Sequence, residues 1–222
     1  MPQQKWTEYA FERMEENENF LKSNLENDEV IELINDAIDI ISQKSENKNL
    51  WTKSSKYFFS HPILLPSSYA INTHRLTGNL PACFRELRFL FESLAFCHYA
   101  EKEFPNEDFF IEQMKNYKIF LKKQKPRKTI SQLLVDLGKD TGTESELNRV
   151  YERLSNEWVH TLGFAEKVVA LTSDNFQLPS WAWILPISLD EKDLPVIIEL
   201  NDYIAIFRKL LRKTSYIDEK AF

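Results

Sequence analysis

Glycine is scarce in this chain of 222 residues: only Gly78, Gly138, Gly142 and Gly163 occur. So few glycines argue against Gly-rich turns, phosphate-cradling loops and an all-β fold, which need backbone conformations that other residues adopt at a cost. Cysteine is scarcer still, with only Cys83 and Cys97. They fall fourteen residues apart in one predicted helix, about 21 Å at the helical rise, and cannot bridge while that helix stands. A secreted disulfide framework is therefore not expected. The four histidines, His61, His74, His98 and His160, are scattered, and no Cys-x-x-Cys occurs, so no zinc site is expected. Nucleophile elbows and phosphate loops are missing as well, and the reading assigns no cofactor. Long apolar runs are missing too. The stretch from Leu194 to Ile206 is interrupted by Glu199, Asn201 and Asp202, which is too polar to span a bilayer. Residues Met1 to Tyr9 do not pair a basic segment with an apolar one. The expectation is a cytoplasmic protein without a membrane partner.

What is present is helical patterning. Hydrophobic residues make up 43% and charged residues 28%, with sixteen Phe among the aromatics, enough to build a sizeable core. Trp6, Tyr9, Ala10, Met14, Leu21 and Leu25 recur near helical spacing over 6–25. Asp28 stands as N-cap before Val30, Leu33, Ile34, Ala37, Ile38 and Ile41, which share one face. The polar stretch Ser42–Asn49 reads as a loop. His61-Pro62 and Leu65-Pro66 delay the next helix to about 66–68, because residues before proline avoid the helical region, and it runs to about Thr77. Gly78 and Pro81 break it. Leu87, Leu90, Phe91 and Leu94 then mark a strong helix ending before Pro105. Further helices are expected over about 107–123, over 130–137 closed by Gly138, from the Thr143/Glu146 capping box to about Leu171, and over 193–213. Phe176–Leu189, with Trp181 and Trp183, reads as a packed loop. The fold expected is all-α, an irregular helical bundle forming a single domain over 1–222. The helices of 6–44 could stand as an appended hairpin beside a core over about 66–213.

Net charge is −6, unevenly spread. Residues 1–50 hold twelve acids and five bases, whereas Lys115 to Lys128 holds seven bases and no acid. That basic stretch interleaves Tyr117 and Phe120, and Lys122, Lys123, Lys125 and Arg127 suit a nucleic-acid backbone. The plainer alternative is a solvated helix end, where lysines meet the negative end of the dipole. Cys97 and His98 are sequence neighbours but diverge on a helix, and read as a core thiol and a packed imidazole.

The segment from Tyr151 to His160 carries the sharpest chemical pattern. At about 100° per residue, Arg153, Asn156 and His160 form one polar stripe, while Leu147, Val150, Leu154 and Trp158 form an apolar one. Histidine exchanges protons near neutral pH and arginine holds phosphate. With Asn156 orienting either, the trio suits RNA cleavage by an adjacent 2′-hydroxyl, which needs a base and anion stabilisation. Arg153 followed by His160 after six residues resembles the Arg-x4–6-His signature of the HEPN superfamily, over residues 75–170 at most. That resemblance implies an all-α, HEPN-like homodimer in which Arg153 and His160 from two subunits meet in a cleft, and a metal-independent ribonuclease of defence or toxin–antitoxin systems. A wider pattern, Arg88-x-x-x-Glu92 before Tyr151-x-x-Leu-Ser, is similar to helical proteins of prokaryotes and implies a fold rather than an activity. Arg85 and Arg88 could lend positive charge to the His160 cleft; otherwise Arg88 and Glu92 form a structural ion pair. Arg153 and Glu157 likewise have ion-pair spacing. Two other functions fit the residues. One is a non-catalytic interaction module, antitoxin-like or a scaffold, favoured by Leu154 after the arginine and by the acidic N-terminal helices. The other is a nucleotide-binding bundle lined by Arg85, Arg88 and Glu92.

Overall fold

The computed structural model describes residues 3–42, 55–107, 109–124, 129–159 and 186–214, and every regular element among them is helical. They are α1 (Gln3–Asn24), α2 (Glu29–Ser42), α3 (Ser55–Phe59), α4 (Leu65–Leu76), α5 (Leu80–Glu103), α6 (Phe110–Lys123), α7 (Ile130–Thr141), α8 (Glu144–Arg153) and α9 (Leu194–Lys213). Two π-helical turns, Ser60–Leu64 and Leu154–Val159, interrupt the series. No described helix is long and apolar enough to cross a membrane.

The core forms around α5, the longest helix. Its Cys83, Phe84, Leu87, Leu90, Phe91, Leu94, Ala95 and Cys97 are buried. Against it pack α3, α4, α6, α7, α9 and the second π turn. Burying a Leu or Phe side chain contributes ~1.5–3 kcal/mol, and this concentration of them makes α5 the organising element. Helix α2 joins the same core through Val30, Leu33, Ala37 and Ile40. The Asp28 cap is present: its Oδ1 accepts from Val30 N–H at 3.1 Å and Ile31 N–H at 3.3 Å, and both its oxygens grip the buried Arg75 guanidinium at 2.6 and 2.7 Å. Buried Arg208 of α9 donates to Asp36 at 2.5 Å and to Glu29 at 2.6 Å on α2, so a charge that could not stay buried alone is met by carboxylates.

Near the N terminus, buried Asn17 holds the irregular segment 186–190. Its Nδ2 donates to the carbonyls of Leu76 and Ile187, both at 2.8 Å, and its Oδ1 accepts from Leu189 N–H at 2.7 Å. Gly78 at φ +72° sits against the same segment, where a Cβ would lie 2.5 Å from the Ile187 carbonyl oxygen.

Several expectations need correction. The helix placed at 66–68 begins upstream: α3, the first π turn and α4 run continuously from Ser55 to Leu76. Proline clashes with the carbonyl four residues back in a regular α-helix, and the wider turn around Pro62 is where that clash is relieved, while Pro66 sits in the first turn of α4. Helix α7 ends at Gly142, not Gly138. Gly142 has φ +66°, whereas Gly138 stays within the helix and lets the start of α8 approach. Thr143 is the N-cap of α8 as expected, yet makes no side-chain cap; its hydroxyl pairs with that of Thr141 at 2.8 Å. The helix expected to reach Leu171 leaves α geometry after Arg153, and 160–171 lies outside the described residues, as do most of the loop at 42–49 and Trp181 and Trp183.

Candidate functional site

Helix α8 and the π turn that follows it put their apolar stripe inward, with Leu147, Val150, Leu154 and Trp158 all buried. The Trp158 indole stacks on Phe84 of α5, ring centroids 4.0 Å apart and 8° from parallel. That anchor fixes which side chains of α8 flank the contact. Tyr151 and Arg153, two residues apart, project about 200° from each other and meet different helices.

On one flank, Tyr151 reaches α5. Its hydroxyl donates to Glu92 Oε1 at 2.8 Å, and Arg88 Nε donates to the same oxygen at 2.7 Å. The Arg88 guanidinium also lies over the Tyr151 ring, 5.4 Å from its centroid. Burial and the nearby Glu92 raise the Tyr151 pKa. Burial works against the Arg88 charge, but Glu92 and Tyr151 outweigh it and hold the guanidinium more firmly protonated. The two halves of the wider sequence pattern, Arg88-x-x-x-Glu92 and Tyr151-x-x-Leu-Ser, thus meet in one network. The structural ion pair expected between Arg88 and Glu92 is present.

On the other flank, Arg153 faces α9. Its Nη2 lies 2.8 Å from Glu199 Oε1 and 3.2 Å from Glu157 Oε2. Tyr203 donates to the same Glu199 oxygen at 2.6 Å. Burial disfavours the Arg153 charge, yet Glu199, Tyr203 and Glu157 together raise its pKa. The side chain remains 43% exposed, whereas Glu199 is 17% exposed. The ion pair with Glu157 matches its helical spacing; the stronger partner, Glu199, comes from a distant helix. In the sequence it stood out only as one of three polar residues, with Asn201 and Asp202, that interrupt an apolar segment.

Asn156 is exposed within the second π turn. The arithmetic that set it in line with Arg153 holds for an α-helix, and the wider turn changes that register. His160 lies outside the described residues, as do Lys125 and Arg127. Arg85 is exposed on α5, and Lys122 and Lys123 are exposed in the last turn of α6. Arg88 is committed to Glu92 and Tyr151, on the flank of α8 opposite Arg153.

Cys97 is buried and its thiol is pushed up to about 12 by burial, as befits a core residue. Burial and neighbouring Lys102 lower the pKa of His98, with Asp140 and Glu101 acting the other way. Among the described residues no group of three or more His, Cys, Asp or Glu side chains is placed to hold a metal ion. No family model matches the chain, and no curated protein or solved structure matches it either.

Proposed function

We propose that the protein is a metal-independent endoribonuclease of the defence or toxin–antitoxin type, acting as a homodimer. Arg153 holds the scissile phosphate; His160 takes the proton of the attacking 2′-hydroxyl and returns it to the 5′-oxygen that leaves as the P–O5′ bond breaks, giving a 2′,3′-cyclic phosphate; Asn156 orients one of these two side chains. The carrying observation is that Arg153, the last residue of α8, is fixed by Glu199 and Glu157 while keeping 43% of its side chain exposed. A guanidinium held in place before substrate arrives needs little reorganisation to stabilise developing phosphate charge. Exposed Arg85, Lys122 and Lys123 supply positive charge for the RNA backbone. The experiment is cleavage of RNA by purified protein in EDTA. Wild type should cleave and His160→Ala should not; an inactive wild type overturns the reading.

A non-catalytic interaction module, antitoxin-like or a scaffold, is favoured by a different feature of the same contact: two carboxylates already compensate Arg153. Helix α1 also presents exposed Glu8, Glu12, Glu15, Glu16 and Glu18, a surface suited to a basic partner. A stoichiometric partner retained through purification, together with no RNA cleavage, would select this reading.

A further inference from the structure

We propose that a groove beside α5 binds a small amphiphilic cation, an apolar ring or branched chain carrying a primary amine. The groove has a volume of about 210 Å³ and is walled by Ile63, Phe89, Phe96, Met114 and Ile130. Its polar wall consists of Glu92, Ser93 and Cys97. Four elements contribute: the first π turn, α5, α6 and the start of α7. The size suits one ring with a short tail, well below the cavities that take drug-sized ligands.

Glu92 selects the head group. It is the one charged residue in the wall. Arg88 and Tyr151, which both donate to its Oε1, stand outside that wall, and its Oε2 takes no hydrogen bond among the described residues. The Glu92 side chain is 28% exposed, so an ammonium there is screened less than at an open surface. The Phe89 and Phe96 rings suit an apolar body and tolerate a nearby cation. Arg88 already pairs with Glu92 through Oε1, so Oε2 offers an ammonium one charge-assisted acceptor, whereas a phosphate or carboxylate head would find no charged donor in the wall. Arg85 and Arg88, which a nucleotide would need, do not line the space. The groove lies by the Tyr151 flank of α8, so this site is independent of Arg153 and of the ribonuclease reading.

The test is titration calorimetry of the full chain with phenethylamine, set against 3-phenylpropanoate as an anion of similar shape. The amine should bind about tenfold tighter than the acid, the scale of one charge-assisted hydrogen bond. Glu92→Gln keeps an oxygen for Tyr151 but leaves Arg88 without its counter-charge, and should abolish or reverse the preference. Ser93→Trp fills the groove and should remove binding of both. Circular dichroism establishes that each variant folds; should Glu92→Gln fail to fold, the wild-type preference and Ser93→Trp decide. No binding of the amine at millimolar concentration, equal affinity for the acid, or binding untouched by Ser93→Trp overturns the proposal.

Discussion

The Tyr151 hydroxyl donates to Glu92 at 2.8 Å, tying α8 to α5 through the oxygen that Arg88 also uses. Removing that hydroxyl leaves a partly buried carboxylate with one donor fewer. Tyr151→Phe should therefore cost about 1–2 kcal/mol, since the ring and its packing remain. The check is the urea midpoint at unchanged slope. An unshifted midpoint would mean that water replaces the phenol without loss.

The glycines differ in what a methyl group would meet, which predicts an order. At Gly142 the only close atom among the described residues is Lys213 Nζ at 3.9 Å, so Gly142→Ala faces the left-handed backbone penalty, about 1–2 kcal/mol. At Gly78 the same penalty adds to a collision with the Ile187 carbonyl oxygen at 2.5 Å. At Gly138 the backbone is helical, but the Cβ would come within 2.7 Å of Glu144 Cα. Thermal melts should rank Gly142→Ala as the mildest and Gly78→Ala as the most damaging. Equal losses at all three would contradict the close approaches at Gly78 and Gly138.

This ordering also shows where the sequence was legible. Gly78 stood out as a breaker because the periodicity on both sides stopped at it. Gly138 and Gly142 lie four residues apart near the end of one apolar pattern, and only packing distinguishes the glycine that closes the helix from the one that lets α8 approach. The core faces of α5 and α8 were readable because Leu87, Leu90, Leu147 and Val150 follow the 3.6-residue period, and most of the α2 face was, through Val30, Leu33 and Ala37, although Ile38 is exposed and Ile40 takes the core position. The π turns were not. Pro62 reads as a stop in a pattern that assumes regular hydrogen bonding, and Asn156 reads as aligned with Arg153 under the same assumption. Glu199 was invisible as a site residue because its contact with Arg153 spans 46 positions and leaves no periodic trace.

His98 makes a prediction about pH. Burial and Lys102 lower its pKa in the folded protein, whereas the unfolded chain titrates near the ordinary value of about 6.5. Above that value both states are neutral at this residue and its contribution is complete. As pH falls through it, the unfolded state takes up a proton first, and stability is lost until the lower folded-state value is passed. Urea midpoints should therefore decline between about pH 7 and pH 5, before most carboxylates titrate. His98→Gln, which cannot protonate, should flatten that decline. A slope identical to wild type would assign the effect to other groups.

Glu199 separates a working arginine from a merely structural one. It holds Arg153 Nη2 at 2.8 Å, so in the proposed ribonuclease it both positions the guanidinium and competes with the phosphate for it. Neutralising it with Glu199→Gln keeps an oxygen for Tyr203 and removes the competing charge. If Arg153 engages RNA, affinity for a 2′-deoxy-blocked oligoribonucleotide at fixed ionic strength should rise several-fold, by the ~1 kcal/mol scale of a partly exposed ion pair, while the protein becomes less stable. Arg153→Ala should then lose affinity and cleavage together. If the pair serves only to join α8 to α9, Glu199→Gln lowers stability and leaves RNA affinity unchanged. The two outcomes differ in whether one binding measurement moves at all, and the urea midpoint reports the structural role separately.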